Sequence, residues 1–457
     1  MTLPHPLAVS RALQIVPGAA IALAAILAFT SQSANPIGAR LYGGPPGPDD
    51  VLAWRAVVVE RDHGYYAPVR NAHIQVVVRS GAGETSAAGV TNEEGALEVR
   101  VPVPSRGTPT VDVSVRAEGV ALPILSASVP VVPPQWASAF KRVQGRAIGQ
   151  RTGAFDVEVI ASRGAMAAPF PERVFIHVSL ADSKTPAAQV RLHIVGEGFE
   201  MEPHSEVVTD SQGNAQVSIR PTHHSPRLEI AAETASGTTG TWEGSLPVAP
   251  GNLWLNPEAL RQGRLSVSTP VGHRIAYVTV FNEHARLLAM QIPLASQPEG
   301  NAGAEVPTPP LPSGECWILA SPDPQGEGLE GELLAWPAWL PDTNSSLPQP
   351  AASMRTPLLA DGVPAAVLRE RSSSRSARLR IIFLLAAATL LESALLYLKA
   401  RQSRDEVSAI LASNADIDEA MLHAIEGGER FWLRLVVAAV LVATVFGALA
   451  FVLWMQV

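Results

Sequence analysis

The chain has 457 residues, a formal net charge of −8 and 47% hydrophobic residues. That charge gives no electrostatic footprint for nucleic acid, and the single cysteine, Cys316, excludes an intramolecular disulfide and any zinc site built on two cysteines. Length allows a few domains at roughly 100–200 residues each, less the share taken by three long apolar stretches.

The first apolar stretch is IVPGAAIALAAILAF, residues 15–29, after a short head carrying Arg11. A basic head, an apolar run and small polar residues describe a secretory signal. Ser31-Gln32-Ser33 offers a small-x-small cleavage site; the alternative is an uncleaved anchor. Residues 1–34 are therefore expected to export the chain beyond them.

Two stretches then repeat one form. VTNEEGALEV (90–99) and VTDSQGNAQV (208–217) both read V-T-[ND]-x-x-G-x-x-x-V. Val90 and Val208 are 118 residues apart, as are the strands PVRNAHIQVVV from Pro68 and PAAQVRLHIVG from Pro186. VDVSVRA from Val111 and LEIAAET from Leu228 come next at an offset of 117. Matched segments at nearly one spacing mean two copies of one module. Within them VFIHVSL and VRLHIV alternate apolar and polar residues, the pattern of half-buried strands. Short strands between Gly, Pro, Asp and Ser clusters predict β-sandwiches of about 100 residues. The expected boundaries are 48–134 and 135–250.

T-[DN]-x-x-G-x-x-x-V after a P-x-x-x-[AV]-x-[IL] strand resembles the bacterial immunoglobulin-like modules of invasin-type adhesins and α2-macroglobulin stalks. The resemblance covers about residues 50–250 and implies a sandwich topology; it specifies function poorly. The thioester pattern C-x-E-Q is absent, since Cys316 lies in GECWILAS, so the reactive inhibitor mechanism does not carry over.

Residues 251–342 form a third β-domain from RLSVST, RIAYVTVF, ARLLAMQI and CWILAS. Residues 343–380 read as a Pro/Ser/Arg-rich linker. The second span at 381–398, a cytoplasmic helical loop at 399–430 and the third span at 431–455 complete the chain as a C-terminal hairpin. In the loop, Asp416 and Glu419 fit a capping box. RERSSSRSARLR, just before 381, carries five arginines that this arrangement places outside, against the positive-inside tendency. The fold class is thus mainly β: tandem immunoglobulin-like sandwiches outside the membrane, plus one N-terminal and two C-terminal transmembrane helices.

The repeated turn is the first candidate site. Thr91, Asn92 and Gly95, and Thr209, Asp210 and Gly213, suit a structural turn: the Asx side chain accepts backbone hydrogen bonds and Gly supplies positive φ. Calcium binding by Asp210, Glu93 or Glu94 is the alternative, but each loop has too few oxygens. His177 and His193, on the polar faces of neighbouring strands, and the pair His223-His224 are weak metal candidates. There is no G-x-S-x-G elbow and no Walker loop. Cys316 reads as a small buried hydrophobe. No catalytic residue, metal or cofactor is assigned.

Glu392 lies inside the second span, where an ionisable group is a functional-site hypothesis by default. Arg434, near the start of the third span, is its candidate partner. Ala439, Ala443 and Gly447 form a small-xxx-small stripe suited to packing on the second span or on another subunit. The expected partners are the bilayer, other envelope proteins or a second copy, with no nucleic acid. The expected role is a non-enzymatic scaffold or binding protein of the bacterial inner membrane with its bulk in the periplasm. The alternative is an accessory subunit for signalling or transport, coupling through Glu392 and the 402–430 loop.

Overall fold

The structure is a computed structural model describing residues 6–30, 36–62, 65–104, 107–143, 145–161, 165–202, 206–248, 253–270, 272, 274–296, 301–311, 315–324, 333–337, 351–354, 356–413 and 428–456. It divides into two units: a β-rich body over residues 37–363, and the helices formed by the two ends of the chain.

The first sandwich builds one sheet from Leu358–Asp361, Ile37–Tyr42, Val51–Asp62 and Tyr65–Pro68, with Ala96–Pro102 also paired to Val51–Asp62. Its second sheet runs Gly83–Val90, His73–Ser80, Thr110–Ala117, Leu125–Pro130. Alternate residues of the two sheets meet in a core that includes Leu41, Trp54, Val58, Val76, Val113 and Val129. The second sandwich has two five-stranded sheets. Strand Phe155–Ala161 there alternates buried and half-buried residues along FDVEVIA, the signature of one wet face. Its core joins Phe155, Ile176, Leu192, Ile230 and Trp242.

The copies share their turns but not every register. Val76 pairs with Val115. Its counterpart at the 118 offset, Ile194, pairs with Ile230, and Leu192 takes Ala232. The slip is two residues, which keeps the same side chains on the core face.

The third domain has a four-stranded sheet, Trp254–Leu255, Arg264–Thr269, Ala302–Pro307, Ala295–Ser296. Its six-stranded sheet runs Arg286–Pro293, Ile275–Phe281, Trp317–Ser321, Leu333–Pro337, Ala351–Met354, Phe140–Val143. Strand Ile275–Phe281 is buried at every position. Ala276, Val278 and Val280 enter the domain core, while the alternate residues Tyr277, Thr279 and Phe281 face the other way.

The strand partners change the expected boundaries. Ile37–Tyr42, ahead of residue 48, belongs to the first sandwich. Phe140–Val143 pairs with Ala351–Met354 in the third domain and not with the second sandwich, its neighbour in sequence. Part of the expected 343–380 linker is strand: Ala351–Met354 lies in the third domain and Leu358–Asp361 in the first sandwich. Residues 343–350 lie outside those described. The domains are therefore nested. The second sandwich is inserted after the first strand of the third domain's larger sheet, and both are inserted within the first sandwich. Extended segments satisfy their backbone groups with any partner strand, so proximity in sequence does not decide pairing.

The helices are α1 (Pro6–Thr30), the short α2 (Trp136–Ala139) and α3 (Pro257–Arg261), then α4 (Val363–Ser413) and α5 (Gly428–Gln456). Asp361 Oδ1 accepts a 2.9 Å bond from the Val363 amide, and Pro364 fits the first turn of α4, where its missing N–H leaves no gap. From there α4 is helical through 363–380, expected to be linker, and on through 399–413, the first part of the expected helical loop. Residues 414–427, with Asp416 and Glu419, lie outside those described. Among the described residues, Ala8–Phe29 and Val363–Ala409 are long and apolar enough to cross a bilayer, and α5 carries the shorter apolar stretch Val436–Val452. Ala20, Ala24 and Ala28 of α1, Ile381, Leu385 and Ala388 of α4, and Phe446 of α5 form one apolar cluster.

Candidate functional site

The repeated turn, in its first copy, has been built into a joint between domains. Both copies share the turn chemistry. Asn92 Oδ1 accepts from the amides of Glu94 and Ala96, both at 2.9 Å. Asp210 Oδ1 accepts from Gln212 and Asn214, both at 2.8 Å. Thr91 Oγ1 donates to Val69 O and accepts from the Ala72 amide; Thr209 does the same with Ala187 O and the Val190 amide. Gly95 and Gly213 have φ of +72° and +74°, and a Cβ at either would collide with a backbone oxygen, Val58 O or Val178 O. Only glycine fits there.

The copies then diverge. Asn92 Nδ2 donates to the Tyr277 hydroxyl at 2.8 Å and to Gln291 Oε1 at 3.0 Å. Tyr277 donates in turn to Glu94 Oε2 at 2.7 Å. Burial drives the Tyr277 phenol far above its ordinary value, with the Glu94 carboxylate pushing the same way, so it stays a donor. Glu93 pairs with Arg274 at 2.8 Å on the open rim. In the second copy Asp210 makes its turn, and the side chains of Ser211 and Gln212 stay exposed.

Behind Tyr277 lies a buried charge cluster. Arg55 stacks on the Tyr277 ring, 4.6 Å to its centroid. Its Nε pairs with Glu98 Oε1, and Nη1 donates to Pro324 O at 2.9 Å. Arg286, fully buried, donates from Nη1 to Ala53 O at 2.6 Å and sits 3.8 Å from Glu98 Oε2. Burial pulls the Arg286 guanidinium down to about 10, against the pull of Glu98. Arg55 Nη2, Arg286 Nε and Glu98 Oε2 have no hydrogen-bond partner. Such a cluster contributes little net stability, but losing one member strands the others. It fixes how the two sheets meet.

Past Arg286 the joint turns apolar. Trp136, Phe281, Trp317, Leu319 and Met354 are buried together. Trp136 meets Phe281 edge-on at 6.4 Å and donates from Nε1 to Glu283 O at 3.0 Å. Gly44 leaves the room for Trp136, since a Cβ there would run into its ring. Along Ile275–Phe281 the joint thus grades from an exposed ion pair through buried charge to aromatic contact.

Tyr277, Arg55, Glu98 and Arg286 are absent from the sequence expectations. A signal was present: Arg55 interrupts the apolar run VLAWRAVVV, and a strand so apolar is buried on both faces. An arginine there needs a buried partner.

Other candidates separate. His177 lies on Glu172–Leu180, bonded to Asn214 Oδ1 at 2.8 Å. His193 lies in the other sheet, 3.9 Å from Glu206. The strands that carry them are not neighbours, so the metal alternative built on the pair fails. No group of three or more metal-ligating side chains occurs among the described residues. Cys316 is buried, which raises its thiol. Glu392 Oε2 has no hydrogen-bond partner; the side chain of Arg434 lies outside those described. Ala443 is exposed and Gly447 has nothing within 4 Å. Contact with the other helices is made by Phe446, with Val442, Leu449 and Ala450 packed around it, and Ala439 is half-buried.

No protein family and no curated protein matches this chain. The D0–D1 domain of intimin aligns over 46% of this chain and 97% of its own length at 15% identity, with a TM-score of 0.15. The chain is similar to bacterial immunoglobulin-like modules. Invasin, a bacterial integrin-binding protein, aligns over 62% of this chain and 56% of its own at 12% identity and TM-score 0.17. Trypsin-activated α2-macroglobulin from Escherichia coli aligns over 63% of this chain and 26% of its own at 12% identity and TM-score 0.16. At these scores the likeness carries no argument about activity or partners.

Proposed function

We propose that this chain is a membrane-tethered, non-enzymatic scaffold or binding protein of the bacterial envelope, with residues 37–363 on the extracytoplasmic side. The observation that carries the reading is the pairing of Ile37–Tyr42 with Leu358–Asp361. Leu41 faces Ala360 and Arg40 faces Asp361 in an antiparallel register. The chain enters the first sandwich at Ile37 and leaves it beside that point, where Val363 packs on Gly38. Both connections to the apolar helices thus leave one end of one sheet. The nested domains make one body whose parts are braced against each other, which suits presenting a surface.

The cluster of Ala20, Ala24 and Ala28 with Ile381 and Leu385 supports α1 as a retained anchor. Protease added to spheroplasts tests the topology: residues 37–363 should be digested, and their protection would overturn it. Affinity purification from membranes tests the binding role, with envelope proteins or a second copy as the expected partners. A second copy would meet the stripe Ala439, Ala443 and Gly447; large residues at Ala443 and Gly447 should then abolish the oligomer.

The orphan carboxyl oxygen of Glu392 favours a second reading, an accessory subunit for signalling or transport in which Glu392 pairs with Arg434. Glu392→Gln separates the two. A scaffold keeps its partners and its role, whereas a coupling subunit assembles and fails.

A further inference from the structure

Helix α4 carries the arginines of RERSSSRSARLR into a fixed geometry. Between Val363 and Ile381 the sequence holds Arg369, Arg371, Arg375, Arg378 and Arg380, with Glu370 as the sole carboxylate. The helix is unbroken from Val363 to Ser413, so each arginine has a set height above Ile381, where the apolar stretch begins. At 1.5 Å per residue, Arg380 stands about 1.5 Å, Arg378 about 4.5 Å, Arg375 about 9 Å, Arg371 about 15 Å and Arg369 about 18 Å above it.

A headgroup layer is roughly 5–7 Å deep on each side of the hydrocarbon core. Long side chains on a helix lean toward its N-terminus, which on α4 is away from the apolar stretch. Arg378 and Arg380 therefore start at the core edge and lean out toward phosphate level, and Arg375 starts just beyond the layer, within one side-chain length of its outer face. The buried positions of this part of α4 are Ala377, Ile381, Leu385 and Ala388, whereas Arg371, Arg375 and Arg380 are exposed and Arg378 is half-buried. Arg371, Arg375 and Arg378, spaced i, i+4, i+7, share one side of the helix. All five cations are arginines, and the planar guanidinium fork grips phosphate oxygens in pairs.

We infer that Arg375, Arg378 and Arg380 bind the phosphates of anionic phospholipids around the point where α4 meets the bilayer. This rests on the membrane-tethered reading of the chain. It also sets anionic headgroups beside these arginines on the side of the membrane where the positive-inside tendency disfavours them.

The test uses the full-length chain in neutral detergent, titrated with phosphatidylglycerol or phosphatidylcholine, with bound lipid counted by native mass spectrometry. The protein should retain phosphatidylglycerol about tenfold better or more, and R375Q/R378Q/R380Q should lose that preference. R369Q/R371Q, above the headgroup layer, should keep it. Equal retention of both lipids, an unchanged preference in the triple variant, or equal loss in the upper pair would overturn the inference. So would displacement of phosphatidylglycerol by inorganic phosphate, or co-purification of an acidic protein in its place. Alkaline carbonate separates the two levels of failure. Release of the chain from membranes defeats the membrane reading itself; retention in the pellet without lipid preference defeats only the lipid site.

Discussion

Asn92 and Tyr277 are 185 residues apart in the chain and joined by a 2.8 Å hydrogen bond. The same asparagine closes its own turn through Oδ1. One side chain therefore serves a local turn and a distant domain, using its acceptor for the first and its donors for the second. An aspartate, as at position 210, can do only the first.

That division predicts opposite responses to a one-atom change. Asn92→Asp removes both donors and sets a carboxylate beside Glu94, with an expected loss of about 1–3 kcal/mol. Asp210→Asn keeps the accepting oxygen and should stay within about 0.5 kcal/mol of the parent. Thermal unfolding of the purified full chain reads both, and hydrogen exchange over residues 274–293 should rise only for Asn92→Asp. Equal effects would mean the first turn is no more than a turn.

Glu98→Ala strands Arg55 and Arg286 in the joint, with an expected loss of about 3–5 kcal/mol. Adding Arg286→Met should recover part of that loss by removing one unpaired charge. Denaturant unfolding of both single variants and the double variant measures the recovery. A double variant that loses the sum of the Glu98→Ala and Arg286→Met losses would show that Glu98 and Arg286 act independently.

Gly95→Ala and Gly213→Ala should cost similar amounts, about 1–3 kcal/mol each, because the two sites share their φ and their collision with a backbone oxygen. The scaffold is common to both copies even where the surface is not. A tolerated substitution at either site, judged by its melting temperature, would contradict the geometry.

Cys316 should resist thiol reagents in the folded protein and react after denaturation, since the thiolate is the reactive form and burial both hides it and raises its proton affinity. Linkage gives the sign of the pH effect. The unfolded thiol titrates first, near roughly 8.5. Its contribution to stability is therefore present below that pH and is lost as pH rises from there through the higher folded value. Cys316→Ala should flatten the alkaline decline. Labelling as fast in native buffer as in denaturant would show that the strand is open.

The strands that alternate, such as Phe155–Ala161, were legible because half-burial writes its period into the sequence. Strand Ile275–Phe281 was legible as a strand but not as a joint. With both faces covered, its period is lost, and Tyr277 and Thr279 read as the polar side of an ordinary sheet. Arg55 carried a warning in its apolar surroundings. Glu98 and Arg286 carried none, since a charged residue at a strand end or beyond a turn is normally wet.

The amino-acid sequence by itself determined the turns, the alternating strands of the sandwiches, the apolar stretches and the duplication of one module. Each of these is written in residues a few positions apart, through backbone φ, period-two burial and continuous hydropathy. Only the tertiary structure decided that Leu358–Asp361 closes the sheet that Ile37–Tyr42 begins, that Phe140–Val143 joins the third domain, and that one of two matching turns is a joint. Any extended segment offers the same backbone donors and acceptors. Which one it pairs with is settled by the surfaces both must bury, and those come together only when the chain is folded.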